Sequence, residues 1–125
     1  MIVLDASVLI AHLDAADTHH ERATDMLERD DDLTASVISL AEVLVQPARA
    51  GLLSRAVSAL GELGVHSVGL SEDGAVRLAV LRAETNLKLP DCCVLLTAEQ
   101  VQGAVATFDG RLASAAKDLG LQVRQ

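Results

Sequence analysis

Five short apolar runs alternate with longer segments of helical character, and this alternation restricts the chain more than any other feature. "MIVL", "LTAS", "VHSVGL", "GAVATF" and "LQV" are each too short for a stable helix and read as strands. Between them lie "SVLIAHL", "THHERATDMLE", "SLAEVLVQPARAG", "LLSRAVSALGELG", "EDGAVRLAVLRAETN", the helix opening at "LPD", and "GRLASAAKDLG". A parallel partner strand is reached only through a crossover, usually a helix, so strand–helix alternation implies parallel pairing. Such a sheet is covered by helices on both faces. The expected architecture is three-layer α/β/α, with a central parallel sheet of four to five strands, in one domain spanning residues 1–125.

Local signals set the expected boundaries. Thr18 and Glu21 are spaced as a capping box, and so are Ser39 and Glu42. Ser71 is expected to cap the helix after it, and Pro47 to end or kink its own. Gly64 and Gly120 are expected to stop theirs, and the acidic "RDDD" reads as a solvated turn. No repeat, linker or low-complexity segment interrupts the pattern.

Composition narrows the function. At 125 residues the chain buries a core without disulfides or structural metal. No uncharged run approaches the ~18 residues of a membrane span, and the N-terminus carries an acid at Asp5 instead of a basic leader. The adjacent Cys92 and Cys93 match neither a redox nor a zinc-ligand spacing, and are expected to be reduced, partly buried residues of a cytoplasmic protein. A net charge of −8 argues against broad electrostatic binding of nucleic acid. Phe108 is the only aromatic residue among Phe, Tyr and Trp, which argues against a platform for stacked bases.

In open parallel sheets, ligands bind outside the carboxyl ends of the strands. Asp5 follows the first strand and Asp109 the fourth; Glu42 is expected in the first turn of the helix after the second, and Asp91 opens a helix facing the same rim. Each has a purely structural explanation. Asp5 can terminate a strand, Glu42 can close its capping box, Asp91 suits the positive end of a helix, and Asp109 can be an N-cap. Together they repel, because two unit charges ~4 Å apart cost about 4 kcal/mol at an effective dielectric near 20. A hard divalent ion such as Mg²⁺ or Mn²⁺ would relieve that cost, and such ions prefer carboxylate oxygens.

The ordered segments "VLDASVLI", "ISLAEVLVQPARAGLL", "LRAETNLKLPDCCVLLTA" and "GAVATFDGRLASAA" resemble the PIN-domain ribonucleases, specifically the VapC toxins of bacterial toxin–antitoxin pairs. The resemblance spans nearly the whole chain, in order and spacing. It implies a PIN-like fold and a metal-dependent endoribonuclease using Mg²⁺ or Mn²⁺. The family's acids fall on Asp5, Glu42, Asp91 and Asp109, as catalytic and metal-holding residues; Ser7 and Thr107 match hydroxyl residues that would fix carboxylate orientation. The "DCC" start departs from the more usual aspartate–alanine. The implied partners are RNA, a VapB-type antitoxin whose tail blocks the acidic groove, and a second copy in a homodimer. Arg49, Arg82, Lys88 and Arg111 are candidates to guide the RNA backbone.

Other readings are weaker. A non-catalytic PIN-fold interaction module would be expected to have lost one or more acids. An aspartate-based phosphoryl-transfer domain would want a second acid soon after Asp5, and "DASV" offers none. His12, His19 and His20 have no zinc-ligand spacing, and the side chains of the vicinal pair should diverge. Neither Cys92 nor Ser7 has an identifiable base partner, and no P-loop or dinucleotide fingerprint is present.

Overall fold

The computed structural model describes residues 1–29 and 32–125. The elements run β1 (Ile2–Leu4), α1 (Ala6–Leu13), α2 (His20–Arg29), β2 (Leu33–Ser36), α3 (Val37–Arg49), α4 (Leu53–Leu63), β3 (His66–Val68), α5 (Gly74–Thr85), α6 (Leu89–Val101), β4 (Ala104–Ala106), α7 (Gly110–Asp118) and β5 (Val123–Arg124). The strands pair in the order β3-β2-β1-β4-β5, and every pairing is parallel. The three-layer α/β/α architecture expected from the alternation is therefore the one observed. The "RDDD" turn includes Asp30 and Asp31, which lie outside the described residues. No helix among the described residues is long and apolar enough to cross a membrane.

Side chains alternate across the strands, so neighbouring residues feed opposite layers. Ile2 and Leu4 of β1 join Val8, Leu9, Leu27, Val43 and Leu60 on one face. Val3, between them, joins Val105, Leu81, Leu95 and Leu112 on the other. Leu4, Leu9, Leu33, Leu81, Leu95 and Leu112 are among the largest fully buried side chains. Each contributes roughly 1.5–3 kcal/mol by leaving water. Gly103 permits the close approach of β4 to β1, since a Cβ there would meet the Met1 carbonyl oxygen at 3.0 Å and Val3 at 3.3 Å.

Several helix starts differ from the sequence expectation. Ser36 caps α3, its hydroxyl accepting from the Ile38 N–H at 3.2 Å. The helix thus starts directly where β2 ends, and Ser39 and Glu42 form no capping box. Ser39 lies inside the helix, fully buried, and its hydroxyl has no hydrogen-bond partner. At α2 the side-chain acceptor is Asp17, which takes the His19 N–H at 2.8 Å, in place of the expected Thr18–Glu21 box. Helix α5 starts at Gly74, not after Ser71; the Ser71 carbonyl accepts the Gly74 N–H, and its hydroxyl accepts from Gln100. Helix α3 continues past Pro47 to Arg49, because a missing N–H in the last turn forfeits only one internal bond. Gly64 and Gly120 take the left-handed conformation that ends α4 and α7 as expected.

Candidate functional site

Strand β1 is where the chain changes direction across the sheet, with β2 on one side and β4 on the other. The carboxyl ends of β1 and β4 consequently open a crevice at a topological switch point. Register decides who meets there. Leu4 is aligned with Ala106, which puts Asp5 beside Thr107 one residue later. The Asp5 N–H extends the pairing to the Ala106 carbonyl at 2.9 Å.

Asp5 is 6 % exposed, and Thr107 is fully buried. A carboxylate this far from water requires donors. The Thr107 hydroxyl donates to Asp5 Oδ2 at 2.8 Å, and the Ser7 hydroxyl donates to the same oxygen at 2.7 Å. Oδ1 takes part in neither bond. Both hydroxyls are held in turn: Ser7 Oγ accepts the Phe108 N–H at 3.1 Å, and Thr107 Oγ1 accepts the Asp109 N–H at 3.0 Å. The chain after β4 is thereby stitched to the start of α1.

Asp109 is exposed and is the N-cap of α7, its Oδ1 accepting from the Arg111 and Leu112 N–H groups at 2.9 and 3.3 Å. Oδ2 takes part in neither bond. Asp91 lies in the first turn of α6, half-buried, with Pro90 in the same turn. Glu42 lies on the second turn of α3, on its exposed side.

The electrostatics show that these acids share one neighbourhood. Partial burial, then the negative charges of Asp5 and Asp109, push the Asp91 carboxyl above the usual aspartate range; Lys88 and Arg111 pull it partway back. Partial burial, then Asp5 and Asp91, likewise push Glu42 upward, opposed by Lys88. Among the described residues, no three His, Cys, Asp or Glu side chains already form a group that could hold a metal ion. The four carboxylates are near enough to disturb one another without converging on one point.

Of the four basic candidates, Lys88 and Arg111 act on the acids. Arg82 does not reach into the cluster: its guanidinium donates to the Asn86 and Leu87 carbonyls at 3.1 and 2.6 Å, fastening the end of α5. Arg49 sits in the last turn of α3, seven residues past Glu42. Cys92 and Cys93 are free and buried more completely than expected, and burial pushes both thiols upward, away from the reactive thiolate.

Two features adjoin the acids, an apolar groove and a ring contact. The helices "SVLIAHL" and "SLAEVLVQ" carry more apolar surface than one strand layer needs, whereas the ring contact had no counterpart in the sequence expectations. An apolar groove of about 550 Å³ runs between α1, α3 and α4, bordered by Ile10, Leu13, Val43, Pro47 and Leu52, with Glu42 on its rim. The Phe108 ring, flanked in sequence by Thr107 and Asp109, stacks on His19 with centroids 4.4 Å apart and planes 11° from parallel. His20 points elsewhere, its Nδ1 2.8 Å from the Ala11 carbonyl and its ring stacked on His12.

Comparison with known proteins adds to this geometry. The family model described as PIN domain matches residues 2–118. No curated protein matches the sequence. Among solved structures, a chain of a toxin–antitoxin complex from Klebsiella pneumoniae is 25% identical, with a TM-score of 0.81 over 100% of this chain and 97% of that one. FitAcB from Neisseria gonorrhoeae is 24% identical, with a TM-score of 0.79 over 100% and 97% of the two chains. The sarcin-ricin-loop-cleaving VapC toxin of Mycobacterium tuberculosis is 20% identical, with a TM-score of 0.74 over 92% and 95%. The last two likenesses are likenesses of fold.

Proposed function

Because this chain belongs to the PIN-domain family, we propose that it is a metal-dependent endoribonuclease, the cytoplasmic toxin of a VapBC-type toxin–antitoxin pair. The observation that carries the reading is the gathering of the acids at the carboxyl ends of β1 and β4: beyond partial burial, Asp5 and Asp109 push the Asp91 carboxyl up, and Asp5 and Asp91 push up Glu42. A fold that only needed helix caps and strand ends would gain nothing from crowding these charges.

The donor set fits a hard divalent cation: every candidate atom is a carboxylate oxygen, the chemistry that Mg²⁺ and Mn²⁺ select. Asp5, Asp91 and Asp109 would hold the ion directly or through water, and Glu42 would bind it or orient the attacking water. Asp91 and Glu42, half-buried and exposed, have the side-chain freedom to close on it. A bound ion supplies charge stabilisation and an activated water for in-line attack on a phosphodiester.

The residues around it have separable tasks. Ser7 and Thr107 fix Asp5 through Oδ2 and leave Oδ1 for the ion. Asp109 spends Oδ1 on the α7 cap, which fixes its orientation, and offers Oδ2. Lys88 and Arg111 supply positive charge where the RNA backbone passes, which offsets the repulsion expected of a chain with net charge −8. The apolar groove, with Glu42 on its rim, supports the antitoxin part of the reading, since it offers a partner chain apolar contacts that lead to the acids.

The test is incubation of the purified protein with total cellular RNA in Mg²⁺ or Mn²⁺, then sequencing of the cleaved ends. Discrete cuts that vanish in EDTA and in Asp91→Asn are expected. Cuts that persist in Asp91→Asn at the wild-type rate would sink the assignment.

A further inference from the structure

Composition argues against base stacking, but that count leaves out imidazole, which is also a flat π surface on which RNA bases stack. His19 precedes α2 and lies face to face with Phe108, with centroids 4.4 Å apart and planes 11° from parallel. Phe108 in turn lies between two residues of the acidic site and donates its N–H to Ser7 Oγ. From the His19 ring to the Asp5 carboxylate the path is therefore one ring contact and two hydrogen bonds, through Phe108 and Ser7.

A second contact reinforces the pair. The Arg22 guanidinium carbon is 5.7 Å from the centre of the Phe108 ring, and Arg22 also donates to the Gln125 carbonyl at 2.7 Å. Asp17 holds the other end of the segment: its Oδ1 takes the His19 N–H at 2.8 Å and stands 3.7 Å from His19 Nδ1. Ring and backbone of His19 are both restrained, so its plane is fixed before any ligand arrives. Although one face is covered by Phe108, the His19 side chain remains 45% exposed. Among the described residues no second ring stacks on His19.

We propose that the open face of His19 is a base-stacking subsite, on which an unpaired base of the RNA next to the scissile phosphate continues the Phe108–His19 stack. The inference rests on the ribonuclease reading, since the subsite has meaning only if RNA lies across the acids. Phe108 is the wall that holds the ring flat, and Asp17 the side chain that fixes its entry angle. The subsite favours unpaired RNA, because a base within a duplex has no free face to offer. It tolerates any base, since every base has a π face.

The experiment measures binding of two fluorescein-labelled RNAs by anisotropy in Ca²⁺: a short single strand of mixed sequence, and the same strand with abasic nucleotides throughout. His19→Ala is expected to weaken the base-bearing strand by about 5- to 150-fold and to leave the abasic strand unchanged. His19→Tyr, which keeps a flat ring, is expected to restore the lost affinity. Equal weakening of both strands, no weakening of either, or failure of His19→Tyr to rescue overturns the subsite. A lowered melting temperature in His19→Ala with RNA binding unchanged overturns it too, and assigns the stack to holding the loop. Wild-type protein that cleaves no RNA in Mg²⁺ or Mn²⁺ would remove the ribonuclease reading itself; cleavage with an indifferent His19 removes only this inference.

Discussion

Replacing Thr107 by Val removes one oxygen at nearly constant volume, from the point where β4 is joined to β1. The lost bond is the 2.8 Å contact to Asp5 Oδ2, a hydrogen bond to a charged group in a fully buried position. Such bonds contribute about 1.5–3 kcal/mol. The Asp109 N–H also loses its acceptor, but Asp109 is exposed and water replaces it. At about 3–5 °C per kcal/mol for a chain of this size, Thr107→Val is expected to melt roughly 5–15 °C below wild type. The assay is urea and thermal unfolding in EDTA of wild type, Thr107→Val, Asp5→Ala and the double variant. Because the two residues share one bond, the cycle should show a coupling of about 1.5–3 kcal/mol. Effects that add to within about 0.5 kcal/mol would show that the hydroxyl does not hold the carboxylate, and the account of how Asp5 is oriented would fall. Cleavage should also drop about 10–100-fold, the usual cost of losing a group that orients a metal ligand.

Three further outcomes follow from the same geometry. Asp91→Asn should abolish cleavage yet raise the melting temperature in EDTA. Since the folded carboxyl titrates above its ordinary 3.8, the wild type loses stability as pH rises through the elevated value, so the advantage of Asn should be absent near pH 3 and grow toward neutrality; an advantage constant with pH would refute the repulsion. Mn²⁺ should stabilise the wild type by about 2.7 kcal/mol at a hundredfold excess over its dissociation constant, and the resulting rise in melting temperature should be largely missing from Asp91→Asn under differential scanning fluorimetry. Ser39→Ala removes a buried hydroxyl without a partner, a group that costs about 1–3 kcal/mol when unsatisfied, and chemical denaturation should therefore find the variant at least as stable as wild type.

The fold was legible because its signals repeat. Each β-strand appears as a short apolar run, and the order of strands and helices leaves few alternatives to a parallel sheet. Cap positions were less legible, since Ser36 and Ser39 are both plausible starts for α3. Only the burial of Ser39, which the sequence does not display, decides between them. Four acids could be singled out because strand ends converge on one edge of the sheet, and Ser7 and Thr107 through their family resemblance. Arg82 could not be told from Lys88 or Arg111, because its engagement with the Asn86 and Leu87 carbonyls depends on how the chain turns after α5. The His19–Phe108 contact joins residues 89 positions apart, and no local pattern announces it. Its one trace was a lone aromatic residue set between two site residues.

The bond from Thr107 to Asp5 spans 102 positions of sequence, and that span bears on translation. Asp5 and Ser7 leave a ribosome about a hundred residues before Thr107, strand β4 and Asp109. A nascent chain carrying only β1, β2 and β3 has an open seam where β4 belongs, and of the two hydroxyls that hold Asp5 only Ser7 is present. The four acids are thus brought to one edge only after β4 has paired with β1, so this edge is among the last parts of the domain to take shape.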